Sequence, residues 1–333
     1  MKFIEHSSFH YSLKSNNCEN NVLFLSEKWC GSDPNLGLTN TFHNLFETID
    51  ETGLYDISIF FYDAYFQATD IHPDEYLINL LKDDSFDFII LCWHPYYEYN
   101  VSKSLLKKIA KTTPLITFWF DSSLRNIFEM ADQFSYFAYK NILLDCSHAP
   151  KTYNSAHPEK YLHLWTPQAK RLYFYDKRLK ETPLSFIGTI TSDRSTYRSE
   201  TISYLKNNGI EITVSGGQRT NTHLSPEDYA KSIRKSIATI NFCKAINTNT
   251  QIKGRVFEAL FSGCLLFEEE NLEITNWLIP FEHYIPFSSQ HDLLEKIMFY
   301  QRNTYELKKI VENAHNFVRK NLSNERFWEL ALN

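Results

Sequence analysis

Two patterns of apolar and polar residues alternate along this chain of 333 residues. Short apolar runs that suit buried strands alternate with segments in which apolar residues recur every three to four positions, as on one face of a helix. In the first half, strands are predicted at 21–26, 56–62, 86–93, 115–120, 141–145 and 161–164. The helices predicted between them lie at 39–52, 73–82, 101–111 and 123–134. Such alternation is typical of a parallel α/β fold.

The stretch 166–181 is polar and basic, shows little periodicity, and is interpreted as a linker. Beyond it, strands are predicted at 184–188, 210–214, 238–242, 264–268 and 283–287, with helices at 195–207, 226–235, 254–262 and 291–300. Ser225 and Asp228 have the spacing of a capping box. The end of the chain, 304–332, is amphipathic and helical. We therefore predict two α/β domains, 1–165 and 182–303, followed by C-terminal helices at 304–333.

Composition narrows the class of protein. Hydrophobic residues make up 43% of the chain, which indicates a globular protein, and the net charge of −6 argues against a nucleic-acid partner. The six cysteines show neither a C-x-x-C pair nor metal-ligand spacing, so no metal site is predicted. The N-terminus lacks a signal-peptide core, and no apolar run reaches the ~18 residues that cross a bilayer. We expect a cytoplasmic protein, and contact with the inner face of a membrane stays open.

Candidate chemistry is concentrated at 250–267, which is predicted as a loop, a short helix and a buried strand. Lys253, Arg255 and Glu258 lie in the first turns of the helix. A helix start offers free N–H groups, and two cations beside it favour a phosphate. A carboxylate one turn later can accept hydrogen bonds from a ribose diol. The alternative is an exposed i,i+3 ion pair between Arg255 and Glu258 on a helix whose apolar face is ordinary core.

Five segments in order extend this pattern: 185–194, 214–217, 224–242, 253–267 and 283–300. Together they resemble the nucleotide-binding half of group 1 glycosyltransferases, and most closely the CgeB-like, spore-maturation branch. The resemblance covers 182–330 well. It covers 85–165 weakly, through the sequence WFDSS at 119–123 and the LW-P pattern at 164–167.

The resemblance implies a GT-B fold, in which two Rossmann-like domains face a central cleft. The donor would bind the C-terminal domain and the acceptor the N-terminal one, and the last helix would cross back to the N-terminal domain. It implies no bound metal and no cofactor, because the nucleotide-diphosphate sugar is a co-substrate. The resemblance also implies that six residues bind the donor: Gly188, Arg194, Gly217, Lys253, Arg255 and Glu258. In this set a glycine admits the phosphates, cations neutralise them, and the glutamate binds ribose, while Gly217 borders the base or ribose pocket or forms a simple turn.

One position departs from the family pattern. Retaining members carry a second Glu eight positions before the ribose-binding one, and this chain has Thr250 there. The choice between retaining and inverting transfer therefore stays open.

An inverting transferase needs a general base for the acceptor. Asp121 and His94 follow predicted strands and are the candidates; the alternatives are a helix N-cap for Asp121 and a structural role for His94. Asp33, before Pro34, is a weaker candidate with turn formation as its alternative. The predicted activity is transfer of a sugar from a UDP or GDP donor to a glycan, lipid-linked or protein acceptor. A catalytically idle binding module and a nucleotide-sugar epimerase are the alternatives.

Overall fold

The computed structural model describes residues 8–15, 18, 20–93, 99–190, 196–216, 224–244 and 249–333. Two compact units make up the chain. The first contains Met1–Leu164 together with Asn324–Asn333, and the second contains Trp165–Ser323.

The first unit is built on a seven-stranded sheet. Its strands are β1 (His10–Leu13), β2 (Asn20–Ser26), β3 (Tyr55–Phe61), β4 (Phe88–Cys92), β5 (Leu115–Trp119), β6 (Lys140–Leu143) and β7 (Tyr161–His163). They lie in the order β1-β3-β2-β4-β5-β6-β7, and all neighbours are parallel except the β1–β3 pair. The antiparallel edge strand β1 was not predicted.

Helices cover the faces of this sheet. They are α1 (Asn40–Asp50), α2 (Tyr62–Thr69), α3 (Pro73–Asp83), α4 (Lys103–Ile109), α5 (Arg125–Ser135) and α6 (Ala149–Thr152). Helix α2 was not predicted, because it follows β3 without a loop. Its first residue, Tyr62, is buried and donates its hydroxyl to the Cys92 carbonyl at 2.9 Å, so the apolar pattern runs through the junction.

The second unit has a five-stranded sheet in which every neighbour is parallel. Its strands are β8 (Thr182–Ile187), β9 (Thr213–Ser215), β10 (Ser236–Asn241), β11 (Leu265–Glu269) and β12 (Ile285–Phe287). Their order is β12-β11-β10-β8-β9. The strand predicted at 210–214 begins later, because the Ile210 N–H closes the preceding helix by donating to the Leu205 carbonyl at 3.0 Å.

The helices of the second unit are α7 (Thr196–Asn207), α8 (Pro226–Lys235), α9 (Gly254–Phe261), α10 (Gln290–Arg302) and α11 (Thr304–Asn321). The predicted N-cap is confirmed, since the Ser225 hydroxyl oxygen accepts from the Asp228 N–H at 3.1 Å. In place of the reciprocal bond of a capping box, the Ser225 hydroxyl donates to Asp228 Oδ2 at 2.7 Å. An N-cap of this kind satisfies an N–H group that the helix leaves unpaired.

The stretch predicted as a linker, 166–181, is part of the second unit. Thr166 and Ala169 are buried, and Lys180 Nζ donates to the carbonyls of Ser236 and Ser262 at 2.7 and 2.8 Å. The stretch therefore packs as part of the second unit and does not act as a linker, because Lys180 binds two carbonyl groups of that unit and Thr166 and Ala169 are buried.

The predicted C-terminal segment 304–333 is divided between the units. Helix α11 belongs to the second unit, whereas α12 (Asn324–Leu332) belongs to the first. The buried Trp328 ring lies 5.9 Å from Phe24 and 5.8 Å from Phe118, and its Nε1–H donates to Thr48 Oγ1 at 3.2 Å. Aromatic contacts with the sheet therefore attach the last helix to the first unit.

Candidate donor site at the carboxyl edge of the second sheet

The strand order of the second sheet fixes where a ligand is expected. From β8 the chain moves to one side to form β9 and then to the other side to form β10. This reversal is a topological switch point, and open α/β sheets bind ligands there, outside the carboxyl ends of the strands. The ligand site is therefore expected at the turn after β8 and the end of β10.

Two glycine turns meet at this point. Gly188 follows β8 with φ +153°, and Gly216 follows β9 with φ +84°. The Gly188 N–H donates to the Ser215 carbonyl at 2.8 Å, and a Cβ on residue 216 would lie 3.2 Å from the Gly188 nitrogen. The backbone of one glycine turn is thus packed on the backbone of the other, which glycine permits because it has no Cβ.

Arg255 lies across the first of these turns. It projects from the first turn of α9, and its Nη2 is 2.7 Å from the position of a Cβ on residue 188. Its Nη1–H donates to Asn241 Oδ1 at 2.9 Å, and its guanidinium lies 5.3 Å from the centre of the Phe186 ring. The structure thus brings together two of the predicted donor-binding residues, Gly188 and Arg255.

A second guanidinium, which the sequence analysis missed, lies close by. Arg198, in the first turn of α7, donates to the carbonyls of Thr189 and Lys244 at 3.5 and 3.4 Å. Burial lowers the pKa of Arg198, and the positive charge of Arg255 lowers it further. Within the described parts of the chain, neither guanidinium forms an ion pair with a carboxylate. An anion at the Gly188 turn would relieve this repulsion.

Lys253 is the N-cap residue of α9, two positions before Arg255, and its backbone is extended. Thr250, which replaces the second Glu of retaining relatives, forms an isolated bridge with Lys244. The two other predicted donor-binding residues, Arg194 and Gly217, lie outside the described residues.

Glu258 lies beside the start of the same helix. Its Oε2 accepts from the Tyr229 hydroxyl at 2.7 Å, and a Cβ on Gly254 would lie 3.4 Å from Oε1. Burial raises the pKa of Glu258, while Tyr229 and Arg255 oppose that rise. The exposed Arg255–Glu258 ion pair considered as an alternative does not form, because Asn241 holds the guanidinium and Tyr229 holds the carboxylate.

Among the acceptor-side candidates in the first unit, Asp121 follows β5, is exposed, and adopts left-handed backbone with φ +56°. Helix α5 begins at Arg125 with Leu124 as its N-cap, so the capping alternative for Asp121 was wrong. The next residue, Ser122, donates its hydroxyl to the buried Asp145 at 2.6 Å. His94 lies outside the described residues.

Asp33 performs the turn role given as its alternative. Its Oδ1 accepts from the Asn35 N–H at 2.9 Å and caps a short 3-10 helix at Pro34–Leu36. A buried carboxylate that the sequence analysis missed, Glu27, follows β2 instead. Glu27 Oε1 accepts from Thr39 Oγ1 at 3.0 Å, Oε2 has no partner among the described residues, and burial raises its pKa to about 8.

Comparison with known proteins adds a family match. Residues 194–333 match the family model described as "Glycosyl transferase-like". No curated protein matches the chain. In the described parts of the chain, no helix has the length and apolar character needed to cross a membrane.

Solved structures resemble nearly the whole chain. HepE from Anabaena in complex with UDP and glucose has a TM-score of 0.63 at 10% identity, covering 94% of this chain and 99% of that one. Sucrose-phosphate synthase from Thermosynechococcus elongatus has a TM-score of 0.63 at 9% identity, covering 94% and 96%. An alpha-glucosyltransferase in complex with UDP-glucose and DNA containing an abasic site has a TM-score of 0.64 at 10% identity, covering 94% and 99%.

At such identities the structural likeness establishes the fold, and the predicted GT-B fold is confirmed. The family match over the second unit confirms the predicted class, a glycosyltransferase. Neither finding singles out the CgeB-like branch.

Proposed function

We propose that this glycosyltransferase moves a sugar from a nucleotide-diphosphate donor to a glycan, lipid-linked or protein acceptor. UDP is the first nucleotide to test. The observation that carries the proposal is the position of Arg255 across the Gly188 turn at the switch point of the second sheet. UDP and UDP-glucose, named for the Anabaena protein, motivate the choice of base. The order of the sequence motifs favours the CgeB-like branch.

The diphosphate is the leaving group, and its negative charge grows in the transition state. Arg255 and Arg198 neutralise that charge at the Gly188 turn, and Lys253 adds a cation at the start of α9. Because cations of the chain supply this neutralisation, we expect transfer without a bound metal or cofactor. Arg194 belongs to the same proposal on the strength of the sequence motif, and so does Gly217 as the border of the base pocket.

Glu258 binds the ribose. Its carboxylate has two oxygens at the start of α9; the Tyr229 hydroxyl uses one lone pair of Oε2, and Tyr173 also hydrogen bonds to the carboxylate. The remaining lone pairs can accept from the two neighbouring ribose hydroxyls. The same contact orients the carboxylate before the donor arrives.

In an inverting transfer, Asp121 accepts the proton of the acceptor hydroxyl. Its loop after β5 is held by the Ser122–Asp145 hydrogen bond and by the Tyr153 hydroxyl, which donates to the Ser123 carbonyl at 2.5 Å. A left-handed non-glycine residue held by its surroundings is typical of functional loops. His94 is the second candidate for this role.

Exposed basic and aromatic residues of the first unit favour a lipid-linked acceptor. Lys107 and Lys108 are exposed on α4, and Lys107 Nζ lies 5.6 Å above the Phe137 ring. Tyr136 and Tyr139, 67% and 46% exposed, lie near that ring in the chain. Lys140 Nζ lies 5.6 Å from the centre of the Tyr139 ring. Cations and exposed tyrosine rings suit an anionic membrane surface, and we propose that the enzyme acts in the cytoplasm at the inner face of the membrane.

Vesicle flotation tests this placement. The wild-type protein should float with vesicles containing anionic lipids at low salt, and a Lys107→Glu, Lys108→Glu double variant should not. A Lys308→Glu, Lys309→Glu variant on α11 is the charge-matched control. If the wild-type protein does not float with the vesicles, the proposed membrane contact is wrong, and the proposed donor site is unaffected.

A screen of UDP, GDP, ADP, CMP and their sugar conjugates tests the donor site. A ligand at a hundred times its dissociation constant stabilises the fold by about 2.7 kcal/mol, which a thermal-shift assay detects. The ligand that stabilises the protein is then tested for sugar release in the presence and absence of candidate acceptors. Failure of every nucleotide to bind contradicts the proposal.

Thr250, in place of the second Glu, favours one other function, a donor-binding module without catalysis. That module would bind the nucleotide sugar and show neither transfer nor slow hydrolysis. An epimerase would convert the sugar without any acceptor, so analysis of the sugar products separates all three.

A further inference from the structure

A buried carboxylate lies behind the donor site. Glu268, near the end of β11, is fully buried, and its register partner on β10 is Asn241. Asn241 Nδ2–H donates to Glu268 Oε2 at 2.8 Å. The other oxygen, Oε1, is buried without a hydrogen-bond partner among the described residues. From the sequence, this position was predicted only as the end of a buried strand.

Asn241 uses the opposite end of its amide to hold Arg255. Its Oδ1 accepts from Arg255 Nη1–H at 2.9 Å, while Nδ2–H is directed to Glu268. The carboxylate thereby determines which way the amide faces, because only an amide that donates to Glu268 presents its oxygen to Arg255. A reversed amide would present N–H groups to the guanidinium, and two donors repel.

Other charged and polar groups surround Glu268 on each side. Arg255 on α9 and the amides of Asn241 and Asn271 favour its ionised form, and Glu269 disfavours it. Burial is the dominant influence and raises the pKa of Glu268 to about 8.

Two further titratable groups, Tyr284 and Cys243, also interact electrostatically with Glu268. Glu269 is itself paired with Lys244, whose Nζ lies 2.6 Å from its Oε1.

We propose that Glu268 is a positioning residue for donor binding: through Asn241 it holds the Arg255 guanidinium across the Gly188 turn. The inference rests on the proposed function, because it assigns Arg255 to the donor diphosphate. Glu268 is too deeply buried to contact the donor, so it acts through the hydrogen bonds of Asn241 and through its own charge.

The two effects predict different behaviour. The hydrogen-bond effect requires an acceptor at residue 268 at any pH. The charge effect depends on ionisation, because a neutral Glu268 leaves the positive potential of Arg255 intact, whereas an ionised one adds a negative charge behind it. Donor affinity should therefore fall as pH rises through about 8.

The experiment measures the Kd of UDP-glucose by calorimetry from pH 6.5 to 9, a range in which its diphosphate does not titrate. In the wild-type protein we expect the Kd to increase about three- to tenfold across this range, as a partly screened charge would produce. Glu268→Gln keeps an acceptor oxygen and removes the charge, so its Kd should match the wild type at pH 6.5 and stay constant to pH 9.

Glu268→Leu removes the acceptor and should raise the Kd about tenfold at pH 6.5, the value of one lost buried hydrogen bond. Asn241→Ala removes the intermediate residue and should have a similar effect, which keeps the test valid if the leucine variant fails to fold. Glu27→Gln, the same substitution at a buried glutamate of the first unit, is the control and should keep the wild-type pH profile.

The outcomes separate the two proposals. If wild-type protein does not bind UDP-glucose or any other nucleotide sugar, the proposed function fails. If it binds, but Glu268→Gln keeps the wild-type pH profile and Asn241→Ala keeps the wild-type affinity, the positioning role is wrong and the proposed function stands.

Discussion

Arg255 Nη2 occupies the space that a side chain on residue 188 would need, since it lies 2.7 Å from the position of that Cβ. Gly188 and Arg255 are 67 positions apart in the chain, so the strand order, and no local pattern, brings them together. A glycine is required at residue 188 for the guanidinium to lie over the turn, and this requirement is directly testable.

Gly188→Ala should displace Arg255 and weaken UDP-glucose binding about tenfold, while the protein still folds. The obstructing atoms are the far end of a flexible side chain, so the guanidinium moves and the backbone cost stays near 1–3 kcal/mol. Calorimetry measures the affinity. Gly209→Ala is the matched control: residue 209 also has positive φ, at +79°, but a Cβ there meets nothing within 4 Å. Equal affinities of the two variants would contradict the role of the Gly188 turn.

Arg198→Met should reduce the preference for UDP over UMP about tenfold, because it removes one of two cations from the diphosphate and leaves the base pocket unchanged. Competition binding against UDP-glucose measures both affinities. Arg302→Met, which removes an exposed cation from the end of α10, should leave the preference unchanged. An unchanged UDP-to-UMP ratio in the Arg198 variant would remove this residue from the site.

Glu258→Ala should abolish discrimination between UDP and 2′-deoxy-UDP. Wild-type protein should bind UDP at least about tenfold more tightly, as expected for a hydrogen bond from a hydroxyl to a charged group. Tyr229→Phe removes the 2.7 Å contact to Oε2 but keeps the carboxylate, so it should still discriminate. A wild-type protein that binds both nucleotides equally would show that Glu258 does not bind the ribose 2′-hydroxyl.

Glu27→Gln should stabilise the first unit at alkaline pH. The folded-state pKa of Glu27, about 8, exceeds its usual value of 4.5, so the folded protein holds a proton that the unfolded chain releases. Wild-type stability therefore falls as pH rises from 4.5 to 8, and the glutamine variant lacks this loss. At pH 8.5 we expect the variant to be more stable by about 1–3 kcal/mol. Thermal unfolding at pH 5 and pH 8.5 measures the difference, which should be small at the lower pH.

Trp328→Ala should destabilise the first unit by about 3–5 kcal/mol, because it removes a buried ring that contacts Phe24 and Phe118. Trp328→Phe keeps an aromatic ring and loses chiefly the hydrogen bond to Thr48, which costs about 1 kcal/mol. Denaturant unfolding followed by far-UV circular dichroism measures both. Equal losses in the two variants would show that ring packing is not what attaches α12.

Local patterns in the sequence were sufficient to predict most of the helices and strands. The alternation of apolar and polar residues predicted the parallel strands, and the Ser225–Asp228 spacing predicted the start of α8. These features depend on contacts within a few residues, so the sequence records them. Motif order predicted the class of enzyme, and the family match confirms it.

The candidate site was predicted in part. Lys253, Arg255 and Glu258 share one helix start, and a single segment of sequence displays all three. No pattern in the sequence singled out Arg198. Its proposed role depends on its proximity to Arg255 and to the Gly188 turn, which lie on other segments of the chain.

By itself, then, the sequence determined where most strands and helices form, which helix start carries the cations, and which class of enzyme to expect. The tertiary structure decided which distant residues meet: Gly188 with Arg255, Arg255 with Asn241, and Asn241 with Glu268. It also decided which carboxylates lose their contact with water. Strand order brings together residues that are far apart in the chain, and burial raises the free energy of ionising a side chain. The periodicity of apolar residues within a segment depends on neither.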